Sequence, residues 1–387
     1  MNIIVCPDSF KGSLSAVDAT EAITQGIRAV LPAAEIVRLP LADGGEGTVE
    51  AMVAATGGRY VTREVHDPLL RPVMARFGVL GDDTTAIIEM AAASGLTLVS
   101  PEERNPAVTT TLGTGELIKA ALDSGCTRVI VGIGGSATND GGAGMAQALG
   151  ARLLDAEGQD LPPGGAALER LATIDVSRLD PRVGKTEFLI ASDVSNPLIG
   201  PQGASAVYGP QKGADPAMVE ALDRALAHYA EVVREQLRVE IAEAPGAGAA
   251  GGLGGGLMAF LGATMRMGIA LVLEAVGFEQ YLEAADLVVT GEGKLDTQTA
   301  FGKVLSGVGR LAQKHRVPVV ALAGTVEADP ADLPGLGIQA ALPIVPGPVP
   351  LEQAMAQAGP WLQQAAEQMM RLILLGRGIG DGKVKVR

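Results

Sequence analysis

The sequence predicts an α/β protein built from two α/β domains: a mainly parallel open-sheet domain split by a large inserted α/β domain. Three observations carry this. Short β-branched runs alternate with helix-period segments at both ends of the chain. In between, three strand-like runs follow one another with no helix separating them. The glycines, 52 of 387 residues, collect in polar clusters where the predicted strands stop.

The elements follow in order. Asn2–Cys6 is a β-branched strand ended by Pro7-Asp8. Ser15 to Asp18 is a helix start, and Ala19, Ala22, Ile23, Gly26, Ile27 and Val30 keep helical spacing until Pro32. Glu35–Leu39 is a second strand, and Gly44-Gly45-Glu46-Gly47 opens a helix reaching about Ala55. Arg59–Val65, Val73–Leu80 and Thr84–Met90 then read as consecutive strands, a mixed or antiparallel stretch. Helix Thr114–Leu122, buried strand Arg128–Ile133, helix Ala143–Leu149 and strand Glu187–Ala191 restore the α/β pattern. Asp215-Pro216 is an N-cap with proline at the first helical position, opening a helix to Leu237. The densest glycine cluster spans Gly246–Gly256. Beyond it come strand Asp286–Thr290, helix Lys303–His315, strand Pro318–Ala323, strand Gln339–Ile344 and a closing helix Glu352–Leu375. These runs place the split domain at 1–75 plus 280–376 and the insertion at 76–279. Residues 377–387 read as a disordered tail.

Composition narrows the function. Thirty basic against 44 acidic residues give a net charge of −14, a field that repels nucleic acid. Eleven aromatic residues leave few stacking platforms for bases. Cys6 and Cys126 stand too far apart in sequence for a disulfide framework or structural zinc site, and no apolar run is long enough to span a membrane. No signal peptide is recognisable at the N-terminus, so a cytoplasmic protein is expected. Gly184-Lys185-Thr186 ends like a Walker A loop, but Leu179 stands where its first glycine belongs. Gly246-Ala-Gly248-Ala-Ala-Gly251 matches the dinucleotide spacing, yet it follows Ala244-Pro245 rather than a strand. His66, His228 and His315 are too few and too scattered for a histidine-centred site.

The remaining polar residues gather after strands, where open α/β sheets bind ligands. These loops run from Asp8 to Ser13, Asp43 to Thr48, Gly134 to Gly142, Ser192 to Pro197 and Gly291 to Asp296. Each supplies some of three parts: glycines that let backbone N–H groups reach an anion, a hydroxyl or amide, and a carboxylate. Anion cradle, magnesium ligand and catalytic base are the parts of phosphoryl transfer. Lys11, Lys212, Lys294 and Lys303 stand near enough in sequence to neutralise phosphate charge. Plainer roles exist for the same residues. Asp8 or Asp43 suits a helix cap, Asp193 an Asx turn, and Gly246–Gly256 close packing on small residues.

Together with Gly209-Pro210-Gln211-Lys212-Gly213-Ala214 and Pro245–Gly252, and with the last block extended to Thr299, these loops resemble the type 1 glycerate kinase family. The resemblance runs in order from Met1 to about Arg377. It implies ATP-dependent phosphorylation of D-glycerate, expected here at the 2-hydroxyl; the active site, with MgATP, is expected in a cleft between the two domains. Phosphate contacts are expected from Gly134, Gly135, Ser136 and Thr138, with Asn139, Glu292 and Lys294 also on ATP. Asp193 is the first choice of base and Asp43 the second. Lys11 is expected on the glycerate carboxylate, with Asp8, Ser9, Asn196 and Lys212 on substrate, and Asp8 or Asp296 on magnesium. Lys294 stands where the family often has arginine. The oligomeric state stays open, a homodimer included. Three alternatives stand beside this reading: a kinase for another hydroxy acid, a nicotinamide-dependent oxidoreductase and a non-catalytic metabolite sensor.

Overall fold

The computed structural model describes residues 1–296 and 304–380, with side chains through residue 378. The first half of the chain forms β1 (Asn2–Val5), α1 (Ala16–Val30), β2 (Glu35–Arg38), α2 (Thr48–Thr56), β3 (Arg59–His66), β4 (Pro72–Val79), β5 (Thr85–Glu89), α3 (Ala91–Ser94), α4 (Leu112–Asp123), β6 (Arg128–Gly132), α5 (Ala143–Ala148), β7 (Arg152–Leu154), β8 (Thr173–Asp175) and β9 (Glu187–Ala191). The second half forms α6 (Ala204–Tyr208), α7 (Pro216–Leu237), α8 (Leu253–Leu261), β10 (Thr264–Arg266), α9 (Gly268–Ala275), α10 (Phe278–Leu282), β11 (Leu287–Leu295), α11 (Val304–Lys314), β12 (Val319–Val326), β13 (Ala340–Pro343), α12 (Leu351–Ala356) and α13 (Ala358–Gly380).

These elements divide into two units. Unit 1 comprises Met1–Asp43, Glu50–Ala55 and the chain from Ile269 onward; unit 2 comprises Gly44–Val49 and Thr56–Gly268. The chain crosses between the units after Asp43, Val49, Ala55 and Gly268, and stays in unit 2 from Thr56 to Gly268. The reason is strand pairing. β3 and β4 pair along their whole length, from Arg59↔Val79 to His66↔Pro72, and β4 pairs in turn with β5. A hairpin of that length keeps both strands in one sheet.

Unit 1 holds a five-stranded sheet in the order β13-β12-β11-β1-β2, parallel throughout. The order runs outward in both directions from β1 and β11, so these two strands mark a topological switch point. Ser15 caps α1 by accepting the Asp18 N–H at 3.1 Å. The apolar stripe of α1 (Ala19, Ile23, Ile27) meets Leu362, Ala366 and Met370 of α13 in the core. Each large side chain buried there contributes about 1.5–3 kcal/mol. The two helices approach so closely that a Cβ on Gly26 would overlap the Gln363 carbonyl.

Unit 2 holds a six-stranded sheet in the order β10-β9-β6-β5-β4-β3, in which β5, β6, β9 and β10 are parallel and the β3–β4–β5 segment is antiparallel. A two-stranded β7–β8 ladder stands apart from it. Asp215 caps α7 as its sequence predicts, accepting the Met218 N–H at 2.8 Å.

Two expectations change at the end of the chain. The closing helix breaks at Gln357 into α12 and α13, and α13 continues to Gly380, into the segment expected to be disordered. Residues 381–387 lie outside the described residues, as do Lys303 and the 297–299 end of the last family-like block.

Candidate active site

The first group of candidate residues sits at the switch point of unit 1. Asp8 follows β1, and its N–H donates to the Gly291 carbonyl at 2.8 Å, extending the β1–β11 ladder past the strand end. Its Oδ1 accepts the Ser9 N–H at 2.6 Å, which fixes the carboxyl and spends the Ser9 amide. Burial, reinforced by the carboxylates of Asp43 and Glu292, pushes Asp8 up from 3.8 to about 7. Three acidic residues from three separate segments thus influence one another at one strand end.

Glu292 and Lys294 are strand residues, which corrects the loop expected there. β11 runs on through Leu295 because Lys294 and Leu295 pair with Thr325 and Val326 of β12. Gly291 helps make this possible: a Cβ there would overlap the Leu322 carbonyl, so bare glycine lets β12 lie close against β11, while the Asp8–Ser13 loop passes Gly293 at ordinary contact distance. Glu292 is buried. Lys294 reaches Glu327 at 2.9 Å and Asp296 at 3.6 Å. Asp296 therefore faces a lysine. Lys11 is exposed and forms no ion pair among the described residues. Nor do the described residues bring three or more His, Cys, Asp or Glu side chains together as a metal cage.

The second group lies in unit 2, at the carboxyl ends of the adjacent parallel strands β6 and β9. Gly134 and Gly135 are exposed after β6, with Gly135 at φ +74. Ser136, Thr138 and Asn139 are buried behind them. Asn139 Nδ2 donates to Ser205 Oγ at 2.9 Å. Thr138 Oγ1 and Asn139 Oδ1 are buried without a partner among the described residues. Buried polar atoms rarely stay unsatisfied, so each marks room for a water or a ligand atom.

Lys212, expected on substrate, is 3% exposed, and its Nζ donates to the Thr138 carbonyl at 2.6 Å. It braces the loop from behind. Burial draws its pKa down from 10.5 to about 7, against the attraction of Asp140. Asn196 is likewise engaged: Nδ2 donates to the Gln202 carbonyl at 2.8 Å and Oδ1 accepts the Tyr208 hydroxyl at 2.9 Å. Asp193 is exposed after β9, with Oδ1 accepting the Gly268 N–H at 3.1 Å. The Gly44–Gly47 loop lies over the same strand ends, where a Cβ on Gly44 would meet Ala191 Cβ at 3.1 Å. Asp43, the residue before it, is exposed.

The Gly246–Gly256 cluster is close packing. No strand leads into it, since α7 precedes it, which removes the dinucleotide reading. A Cβ on Gly251 would overlap the Thr138 carbonyl, and one on Gly252 would come within 2.8 Å of the Gly141 Cα. The cluster is the bed on which the Thr138–Gly142 backbone rests.

Against known proteins, the sequence model described as the Glycerate kinase family matches residues 3–374. The chain is 52% identical to the glycerate kinase of Bacillus subtilis over 377 residues, covering 97% of this chain and 99% of that protein. It is 49% identical to the glycerate 2-kinase of Escherichia coli over 376 residues, covering 97% and 99%. The chain belongs to the glycerate kinase family. A crystal structure of a candidate glycerate kinase 2 from Salmonella typhimurium LT2 superposes with a TM-score of 0.91 at 50% identity, covering 97% of this chain and 99% of that one.

In this glycerate kinase fold, two carboxylates that sequence reasoning passed over hold the unit 2 loops in place. Asp140 is fully buried. Its Oδ2 accepts from Thr111 N at 2.8 Å, Thr111 Oγ1 at 2.9 Å, Thr110 Oγ1 at 3.3 Å and Gly144 N at 3.3 Å, and its Oδ1 from Gly142 N at 3.2 Å. It ties together the starts of α4 and α5, whose dipoles favour an anion. Burial nonetheless raises its pKa above the ordinary carboxylate value. Glu89, at the end of β5, accepts the Val49 N–H at 2.8 Å and so holds the loop that begins at Gly44. Burial raises its pKa as well. The only sequence signal for Asp140 was its place amid glycines, hydroxyls and amides; for Glu89 there was none.

Proposed function

We propose that this chain transfers the γ-phosphoryl group of ATP to the 2-hydroxyl of D-glycerate, giving 2-phosphoglycerate and ADP. The 2-position follows the Escherichia coli relative, which is named a glycerate 2-kinase. The structural observation that carries the reading is the crowding of Asp8 with Asp43 and Glu292 at the β1–β11 switch point. Acidic groups so placed repel one another, and a cation relieves them. Magnesium bound to ATP suits the position, because it takes one or two carboxylates together with phosphate oxygens and water rather than a protein cage. Asp8, with Asp43 or Glu292 beside it, would hold it. When bound, the ion neutralises charge on the phosphoryl group in flight.

The chain's own residues do the rest. The backbone N–H groups of Gly134, Gly135 and Ser136 have no protein partner among the described residues and receive phosphate oxygens. Lys11 pairs with the glycerate carboxylate. Asp193, oriented by the Gly268 N–H, accepts the hydroxyl proton as the 2-oxygen bonds to phosphorus. The bond from phosphorus to the β–γ bridging oxygen breaks, and ADP leaves. Lys212 and Asn196 act on the loops rather than on substrate. Transfer of this kind depends on positioning and charge more than on covalent chemistry.

Release of ADP, measured across a panel of small 2-hydroxy acids with MgATP, tests the substrate. D-Glycerate is expected to give the highest kcat/KM. A different acid ahead by tenfold would reassign the substrate, and no turnover with any acid would reject the kinase reading.

A further inference from the structure

Four residues line up across the carboxyl ends of the parallel strands of unit 2. Glu89 of β5 pairs in register with Gly132 of β6, Gly132 with Ala191 of β9, and Ala191 with Arg266 of β10. Residues in register on parallel strands turn their side chains to one face of the sheet. That face lies under the Gly44–Val49 segment. Glu89 Oε1 accepts the Val49 N–H at 2.8 Å, a Cβ on Gly132 would crowd the Gly44 carbonyl, and a Cβ on Gly44 would meet Ala191 Cβ at 3.1 Å and Gly268 Cα at 3.3 Å. Glycine and alanine in the middle of the row let the segment lie down. Arg266, half-buried at the end of an edge strand, completes the row.

Asp193 belongs to the same place. The β9–β10 ladder runs one step past the strand ends, where the Ser192 N–H donates to the Arg266 carbonyl at 3.2 Å. Asp193 follows, two residues beyond Ala191 and so on the face that Ala191 and Arg266 share. Its Oδ1 is held by the N–H of Gly268, two residues beyond Arg266. Asp193 and Arg266 are therefore one strand apart, about 4.8 Å, and two residues offset, about 6.6 Å. An arginine side chain spans that offset and brings its guanidinium level with the carboxylate. Charge makes the position selective. The chain leaving β5, β6 and β9 has no lysine or arginine over residues 90–100, 133–150 and 192–208, and the 44–49 segment has none either. Arg266 supplies the positive charge at this level of the sheet.

In a 2-hydroxy acid the carboxylate and the reacting hydroxyl stand on adjacent carbons. The cation that orients the carboxylate must therefore lie beside the group that takes the hydroxyl proton. We propose that Arg266 binds the carboxylate of glycerate and so sets where the 2-hydroxyl stands relative to Asp193. Its planar fork donates two parallel N–H bonds to the two carboxylate oxygens and fixes the plane of the substrate, which the point charge of Lys11 does not. The proposal rests on the reading of Asp193 as the base and adds what holds the substrate against it.

Steady-state kinetics of Arg266→Lys and Arg266→Met test it. KM for D-glycerate is expected to rise about tenfold when the fork is lost in Arg266→Lys and about 100-fold when the charge is lost in Arg266→Met, with KM for MgATP within about twofold of wild type. KM for D-glycerate unmoved in both variants overturns the proposal. So does an equal rise in both KM values with a lower unfolding midpoint, which would mark Arg266 as a brace between strands. In the wild-type protein, D-glycerate should slow modification of Arg266 by phenylglyoxal, mapped by peptide mass spectrometry, and glycerol should not. Arg266 modified equally with and without D-glycerate, or not at all, also overturns it. A near wild-type kcat in Asp193→Asn with the Arg266 shifts in place would reassign the base and leave the carboxylate site standing. A low kcat there with KM for D-glycerate unmoved in both Arg266 variants would do the reverse.

Discussion

Lys212 tests whether the Ser136–Asp140 loop is braced by a buried amine. Its Nζ is out of solvent, bonded to the Thr138 carbonyl, and titrates near 7 instead of 10.5. In the unfolded chain it keeps the ordinary value. Between about 7 and 10.5 the folded protein therefore binds fewer protons than the unfolded one, and stability rises with pH across that window. The cost of burying the charge is complete below about 7 and gone above 10.5. Each unit of pH within the window is worth up to about 1.4 kcal/mol. Lys212→Met removes the titrating group. Wild type should therefore gain roughly 2–3 kcal/mol on the variant between pH 7 and pH 9. Urea unfolding of both proteins at pH 7, 8 and 9, followed by circular dichroism, measures the difference. Parallel curves for the two proteins would refute the assignment. Losing the bond to Thr138 should also lower kcat of the variant at least tenfold.

Other substitutions probe neighbouring parts of the account. Asp193→Asn should lower kcat by about 100-fold or more, the usual worth of a positioned base, while D-glycerate still binds by calorimetry; a near wild-type kcat would mean that another group takes the proton. Asp140→Ala strands the Thr111, Gly142 and Gly144 N–H groups, and unfolding should show a loss of about 3–5 kcal/mol. A loss under 1 kcal/mol would show that water replaces the carboxylate. Gly251→Ala adds a Cβ against the Thr138 carbonyl at φ +68, so stability and activity should fall together, by at least about 2 kcal/mol in stability.

Much of the fold was legible because its signals are local. Ser15 and Asp215 announce their helices by capping chemistry, and the Arg128–Ile133 and Glu187–Ala191 runs are apolar enough to read as buried strands. The polar loops were legible too, since glycine beside hydroxyl and carboxylate after a strand is an unusual composition for a plain turn. What failed to show depends on distant partners. β11 continues through Gly291–Leu295 because β12 pairs with it, and no residue within the segment says so. The change of unit near residue 56 rests on the β3–β4 ladder. Lys212 and Asn196 have the chemistry of substrate contacts, yet Thr138, Gln202 and Tyr208 claim them.

Phosphorus NMR of the products formed from MgATP and D-glycerate tests the central claim most directly, because it reads both turnover and position. The account predicts stoichiometric ADP and 2-phosphoglycerate. A 3-phosphoglycerate resonance in its place, or unreacted ATP with the folded protein at saturating glycerate, would contradict it.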